Sequence, residues 1–211
     1  MTRKTKYKHI VFDVDGTLLD SQALFESSLL ELLNEYHCPV DERAFRLFGL
    51  AQCDMMRLYN IEPSVWADMM VKWCDKLLKP LMSEEMKDGL RALKSAGYQL
   101  GIVSARPTDN IRKTMQVEGV ASLFGRIVGS EETVEQKPAA APLLYYCKQE
   151  AVERKDVLYL GDTDVDMNCA VNAKVDFGQV TWFSNTKTLN AAEKRYASVN
   201  ELVEDLVYDE R

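Results

Sequence analysis

Residues His9 to Ser21 read HIVFDVDGTLLDS, with aspartates at 13 and 15 closing an apolar run just before a glycine. Two carboxylates this close repel each other unless a cation, hydrogen bonds or a shared proton offsets the repulsion. Three further groups stand where apolar runs stop: Ser104 in IVSARP, Lys137 in EQKPAAAP, and Asp162 in GDTDVD, which follows VLYL. Taken singly, these read as ordinary structure: a serine cap, a Lys-Pro loop and an N-cap aspartate. Taken in order at successive strand ends, they require four coincidences, and a single site is the better account.

The elements that must position them follow from pattern. Ile10, Val11 and Phe12 form a continuous β-branched and aromatic run, which suits a strand covered on both faces. Asp15-Gly16 ends it. From Ala23 to Tyr36 apolar residues fall at helical spacing, and more helical text follows over 42–47, 53–59 and 64–78, with no strand expected between 20 and 82. The pattern then alternates. Helices are expected over 84–96, with Gly97 as its stop, then near 109–118, 141–150 and 165–172. Strands are expected over 98–104, 126–129, 156–162 and near 175–183. Repeated βα units predict an α/β fold: a doubly wound parallel sheet with helices on both faces. Residues 1–19 and 83–211 form this core, and 20–82 an inserted all-helical unit. In such sheets the ligand lies outside the carboxyl ends of the strands, where the four groups stand.

Composition narrows the class. The chain has 211 residues, 46% hydrophobic and 28% charged, enough for one domain with a smaller insertion. No apolar run approaches the roughly 18 residues of a membrane span, and the basic start leads into a short run broken by Asp13, not into a signal-peptide core. A cytoplasmic protein without a membrane partner is expected. The net charge of −7 disfavours nucleic-acid binding, which needs a basic face. Cys38, Cys53, Cys74, Cys147 and Cys169 form no C-x-x-C pair, so reduced, mostly buried thiols are expected.

With DVDGT, Ser104, Lys137-Pro and GDxxxD in this order, the chain resembles the haloacid dehalogenase (HAD) superfamily. The resemblance is to phosphatases with a helical cap inserted directly after the first motif, and it implies a Rossmann-like core with that cap over residues 20–82. It implies Asp13 as a nucleophile that forms an aspartyl-phosphate. Asp15 then resembles the general acid and base, which requires it to be protonated well above the free value of about 3.9. Mg²⁺ is the implied cofactor, with Asp13, the carbonyl of Val14 and Asp162 as its ligands and Asp15 counted at the same centre. Asp166 is implied behind that shell, orienting waters or Lys137. Ser104 and the N–H of Ala105 would bind phosphate oxygens, and Lys137 would neutralise charge shared by Asp13 and the phosphoryl group. Asp164 reads as a solvated helix start, and Arg106 as a rim or surface residue. His9 and His37 have no partner at metal-ligand spacing and receive no catalytic role.

The implied activity is phosphoglycolate-phosphatase-like hydrolysis of a small soluble phosphate ester by a monomer or weak homo-oligomer. Pyrophosphatase, sugar phosphomutase and a non-catalytic binding protein are the alternatives. Dehalogenase relatives lack an acid at the second aspartate and need no Mg²⁺, whereas Asp15 and Asp162 stand here. The mutase-like cap histidine and arginine fall at Phe25 and Gln52. Met55, Met56, Met69, Met70, Trp66 and Trp73 read as cap core, and Arg57 as solvated.

Overall fold

The computed structural model describes residues 6–37, 61–65, 68, 81–183, 186 and 188–208. In chain order the elements are β1 (His9–Phe12), α1 (Gln22–Glu35), α2 (Glu84–Ser95), β2 (Gln99–Val103), α3 (Thr108–Val117), β3 (Phe124–Val128) and α4 (Ala141–Gln149). They continue with β4 (Val157–Gly161), α5 (Asp164–Ala173), β5 (Asp176–Val180), β6 (Lys194–Tyr196) and α6 (Val199–Val203). The strands form one six-stranded sheet in the order β3-β2-β1-β4-β5-β6, with every pairing parallel.

β1 lies between β2 and β4, in register Phe12↔Ile102 and Phe12↔Leu160. The chain crosses over in opposite directions from this strand, so a crevice opens at its carboxyl end. Continuing that register brings Asp13 level with Val103 on one side and Gly161 on the other. Ser104 and Asp162 therefore emerge beside Asp13.

Both faces of the sheet are buried, which is why its strands read as continuous apolar runs. Ile10, Phe12, Leu100, Ile102, Leu158 and Leu160 face Leu90 and Leu93 of α2, Ile111 and Met115 of α3, and Leu202 of α6. Val11, Val103, Val157 and Tyr159 face Leu143 and Tyr146 of α4 and Cys169, Ala170 and Ala173 of α5. The two faces alternate residue by residue along each strand. Cys147 and Cys169 are buried and free, as expected.

The segment between the first motif and α2 begins with α1 and meets the core at Leu81 and Met82. Most of it, including Gln52, Arg57, Trp66, Trp73 and the paired methionines, lies outside the described residues, as does the side chain of Phe25. Its return is tied down: Glu118, at the end of α3, accepts the N–H groups of Leu81 (2.6 Å) and Met82 (3.2 Å). Among the described residues no helix is long and apolar enough to cross a membrane.

β6 and α6 extend the sheet and core beyond the expected elements. β6 is a three-residue edge strand, Lys-Arg-Tyr, too short and too charged to carry a period.

Candidate active site

Asp13 extends the β1 ladder by one residue, its N–H donating to the Leu160 carbonyl at 2.8 Å. The chain then turns sharply at Gly16, where φ is +75°. A Cβ on Gly16 would lie 2.2 Å from Asp162 Oδ2, so the turn backbone rests directly on that carboxylate. Only glycine serves both demands. Thr17 donates to Asp162 Oδ1 at 3.4 Å, the one side-chain hydrogen bond to this carboxylate among the described residues.

Lys137 reaches the site from the loop ahead of α4. Its ammonium donates to Asp13 Oδ1 (2.8 Å), Asp166 Oδ1 (2.6 Å) and Tyr159 OH (3.2 Å), so all three of its protons are placed. Tyr159 lies within 3.0 Å of both the Val103 carbonyl and Asp166 Oδ1, and its one proton serves either. Asp166 belongs to a capping box at the start of α5: Thr163 is the N-cap, and Asp166 Oδ2 accepts from its N–H (3.2 Å) and hydroxyl (2.6 Å). Asp164 lies exposed in the same turn, as expected.

The site holds four carboxylates, Asp13, Asp15, Asp162 and Asp166, against two cations, Lys137 and Arg106, in a setting almost closed to water. Burial pushes the Asp13 carboxyl up to about 7; Lys137 pulls it down, while Asp166 and Asp15 add to the rise. Burial, then Asp166 and Asp13, hold Asp162 well above the carboxylate range. Asp166 is also buried, yet the charge and hydrogen bond of Lys137 outweigh burial and hold it low. For Lys137 burial opposes the charge, and Asp13 and Asp166 outweigh it to hold the ammonium above its ordinary value.

This donor set fits a hard divalent cation. Oxygens of Asp13, Asp162 and Asp166 lie within 4.8 Å of one another. Asp166 is the least available, since Lys137, Tyr159 and Thr163 occupy its two oxygens. Asp13 Oδ2 and Asp162 Oδ2 accept no hydrogen bond from the described residues, and an all-oxygen site of this kind suits Mg²⁺.

The expected Val14 ligand needs correction. Its carbonyl accepts the N–H groups of Thr17 (3.3 Å), Leu18 (2.9 Å) and Leu19 (3.0 Å), so it is committed to the turn. The carbonyl of Asp15 accepts no hydrogen bond among the described residues and is the remaining main-chain donor of the pair.

Ser104 and Ala105 follow β2 as expected. Ser104 is buried beside the site, with its N–H on the Val128 carbonyl at 3.0 Å, and Ala105 is half-buried next to it. Arg106 is not a surface residue: it is 3% exposed and forks onto Asp15, with Nε 2.6 Å from Oδ2 and Nη2 bonded to Oδ1. Ser21 donates to the same Oδ1 at 2.5 Å. Asp15 thus lies in a bidentate ion pair with Arg106.

Tyr159 carried a sequence signal that went unused, because a tyrosine inside an otherwise aliphatic buried strand needs a partner for its hydroxyl. Trp182, which donates to the Thr17 carbonyl at 2.8 Å, and Gln179, which donates to the Asp162 carbonyl at 3.4 Å, had none.

The family model for haloacid dehalogenase-like hydrolases matches residues 10–180. The chain belongs to this family. This HAD-like hydrolase is 27% identical over 206 residues to the pyrophosphatase PpaX of Bacillus velezensis, covering 89% of each chain. It is also 27% identical to a phosphoglycolate phosphatase of Colwellia psychrerythraea, over 83% of this chain and 85% of that one. Among solved structures, a predicted phosphoglycolate phosphatase of Haemophilus somnus superposes with a TM-score of 0.80 at 20% identity, over 96% of this chain and 99% of the other. That likeness speaks for the HAD fold, and the site residues stand where this fold collects its strand ends.

Proposed function

We propose that this protein is a Mg²⁺-dependent phosphatase that hydrolyses a small soluble phosphate monoester through an aspartyl-phosphate on Asp13. The observation that carries the reading is the Lys137 ammonium, buried between Asp13 and Asp166. It fixes one oxygen of Asp13 and leaves the other open, as a carboxylate nucleophile requires.

Asp13 and Asp162, with the Asp15 carbonyl, would hold Mg²⁺. When bound, it relieves the repulsion between the Asp13 carboxylate and the phosphate oxygens. The Asp13 carboxylate attacks phosphorus, the bond to the leaving oxygen breaks, and Asp15, once it has left Arg106 and taken a proton from solvent, passes that proton to the leaving oxygen. Asp15 then takes a proton from water, which attacks phosphorus and releases phosphate and the free Asp13 carboxylate. Ser104 and the Ala105 N–H hold phosphate oxygens, and Lys137 balances the charge shared by Asp13 and the phosphoryl group. Asp166 and Tyr159 keep Lys137 in place.

Phosphoglycolate is the first substrate candidate, supported by relatives named for that activity, and pyrophosphate is the second, supported by a relative of equal identity named for it. The test is a panel of phosphate esters and pyrophosphate with Mg²⁺ and with chelator. Release of inorganic phosphate that chelator abolishes and Mg²⁺ restores supports the reading. Isomerised product without free phosphate would make the chain a mutase, and no turnover would leave a binding protein.

A further inference from the structure

Arg106 stands on the loop leaving β2, two residues after Ser104, and its position is fixed at both ends. Its carbonyl accepts Ser130 N–H at 3.0 Å, its own N–H approaches Ser104 Oγ at 3.4 Å, and Nη1 reaches Asn110 Oδ1 at 3.4 Å. The guanidinium grips Asp15 through Nε at 2.6 Å and through Nη2, while Ser21 donates to Asp15 Oδ1. Both oxygens of Asp15 are therefore taken. The side chains of Arg106 and Asp15 are only 3% and 16% exposed.

For Asp15 to face a leaving oxygen it must loosen from Arg106. Withdrawing one partner from a buried, hydrogen-bonded ion pair gives up the bidentate contact between the two charges, and that is strongly unfavourable. The cost falls away when a second anion takes the vacated fork, because guanidinium binds carboxylate and phosphate alike in bidentate fashion. An ester whose leaving half carries such an anion beside the scissile oxygen brings the replacement with it. A neutral alcohol brings none.

We propose that Arg106 is a specificity residue that exchanges Asp15 for an anionic group, a carboxylate or second phosphate, on the leaving half of the substrate. The exchange releases Asp15 towards the leaving oxygen. The selectivity thus lies in the core of the fold and not solely in the inserted segment. This inference rests on the reading of Asp15 as the proton donor of a phosphatase and deepens it.

The test compares phosphoglycolate with its neutral counterpart, 2-hydroxyethyl phosphate, in the Mg²⁺-loaded protein, for wild type, Arg106→Gln and Arg106→Lys. Wild type should prefer the anionic ester in kcat/KM by about tenfold to 100-fold, the range of a hydrogen bond to a charged group. Arg106→Gln should erase that preference, raising KM and lowering kcat/KM for phosphoglycolate far more than for 2-hydroxyethyl phosphate. Arg106→Lys keeps the charge without the fork and should lose part of the preference. Should the glutamine variant fail to fold, the lysine variant decides: a loss confined to the anionic ester supports the exchange. No wild-type preference, or an equal loss on both esters, overturns the role of Arg106 while leaving the phosphatase reading intact. Wild-type protein that cleaves neither ester, nor an activated aryl phosphate, overturns both.

Discussion

Gly16 and Asp162 lie so close that a single methyl on the glycine would sit 2.2 Å from the carboxylate oxygen. The turn after β1 and the end of β4 are thereby locked face to face, and the backbone at Gly16 adopts a positive φ of 75° that other residues resist. Gly16→Ala should cost about 1–2 kcal/mol from the backbone alone. It should also push Asp162 aside and weaken Mg²⁺ binding by roughly tenfold or more. Urea unfolding and calorimetric Mg²⁺ titration check the two effects; unchanged metal affinity would separate Gly16 from the metal centre.

Asp162 itself should couple the metal to stability. Mg²⁺ at about 100 times its dissociation constant should stabilise the wild-type protein by about 2.7 kcal/mol. Asp162→Asn should lose most of that gain while still folding. Thermal melts with Mg²⁺ and with chelator measure it, and an equal gain in the variant would place the metal elsewhere.

Tyr159→Phe removes a hydroxyl that serves the Val103 carbonyl, Asp166 and Lys137. A buried polar group left unpaired costs about 1–3 kcal/mol, so the melting temperature should fall. With Lys137 less firmly held, kcat should drop by roughly tenfold while KM stays near its wild-type value. A rise in KM alone would show that Tyr159 acts on substrate binding and not through Lys137.

His9 offers a pH test away from the metal. Its Nδ1 lies 2.9 Å from Tyr146 OH, and burial holds the imidazole below its ordinary value of 6.5. The folded protein binds fewer protons here than the unfolded chain, so this contribution is complete above about 6.5 and is lost as pH falls below it. Against His9→Asn, the stability advantage of wild type in urea should shrink between about pH 7.5 and about pH 5.5. A constant difference would mean that the imidazole keeps its unfolded-state affinity for the proton.

The sheet was legible because strands buried on both faces leave continuous apolar runs such as Ile10–Phe12 and Leu158–Leu160. Asp13, Asp162 and Lys137 were legible because each stands next to an element boundary that local chemistry marks. Arg106 was not, since the residue it grips lies 91 positions away and no local pattern encodes the meeting of β1 and β2 loops. β6 escaped because three residues with two cations carry no period. Val14 was misread because a carbonyl's availability depends on the turn it enters, which the residue type does not disclose.

The most direct test of the whole account is phosphate incorporation into acid-quenched protein, using an activated aryl phosphate with Mg²⁺. Wild-type protein should carry label on Asp13, and Asp13→Asn should carry none, because an amide oxygen is a poor nucleophile. Labelling of Asp13→Asn at the wild-type level would put the nucleophile on another residue and contradict the account.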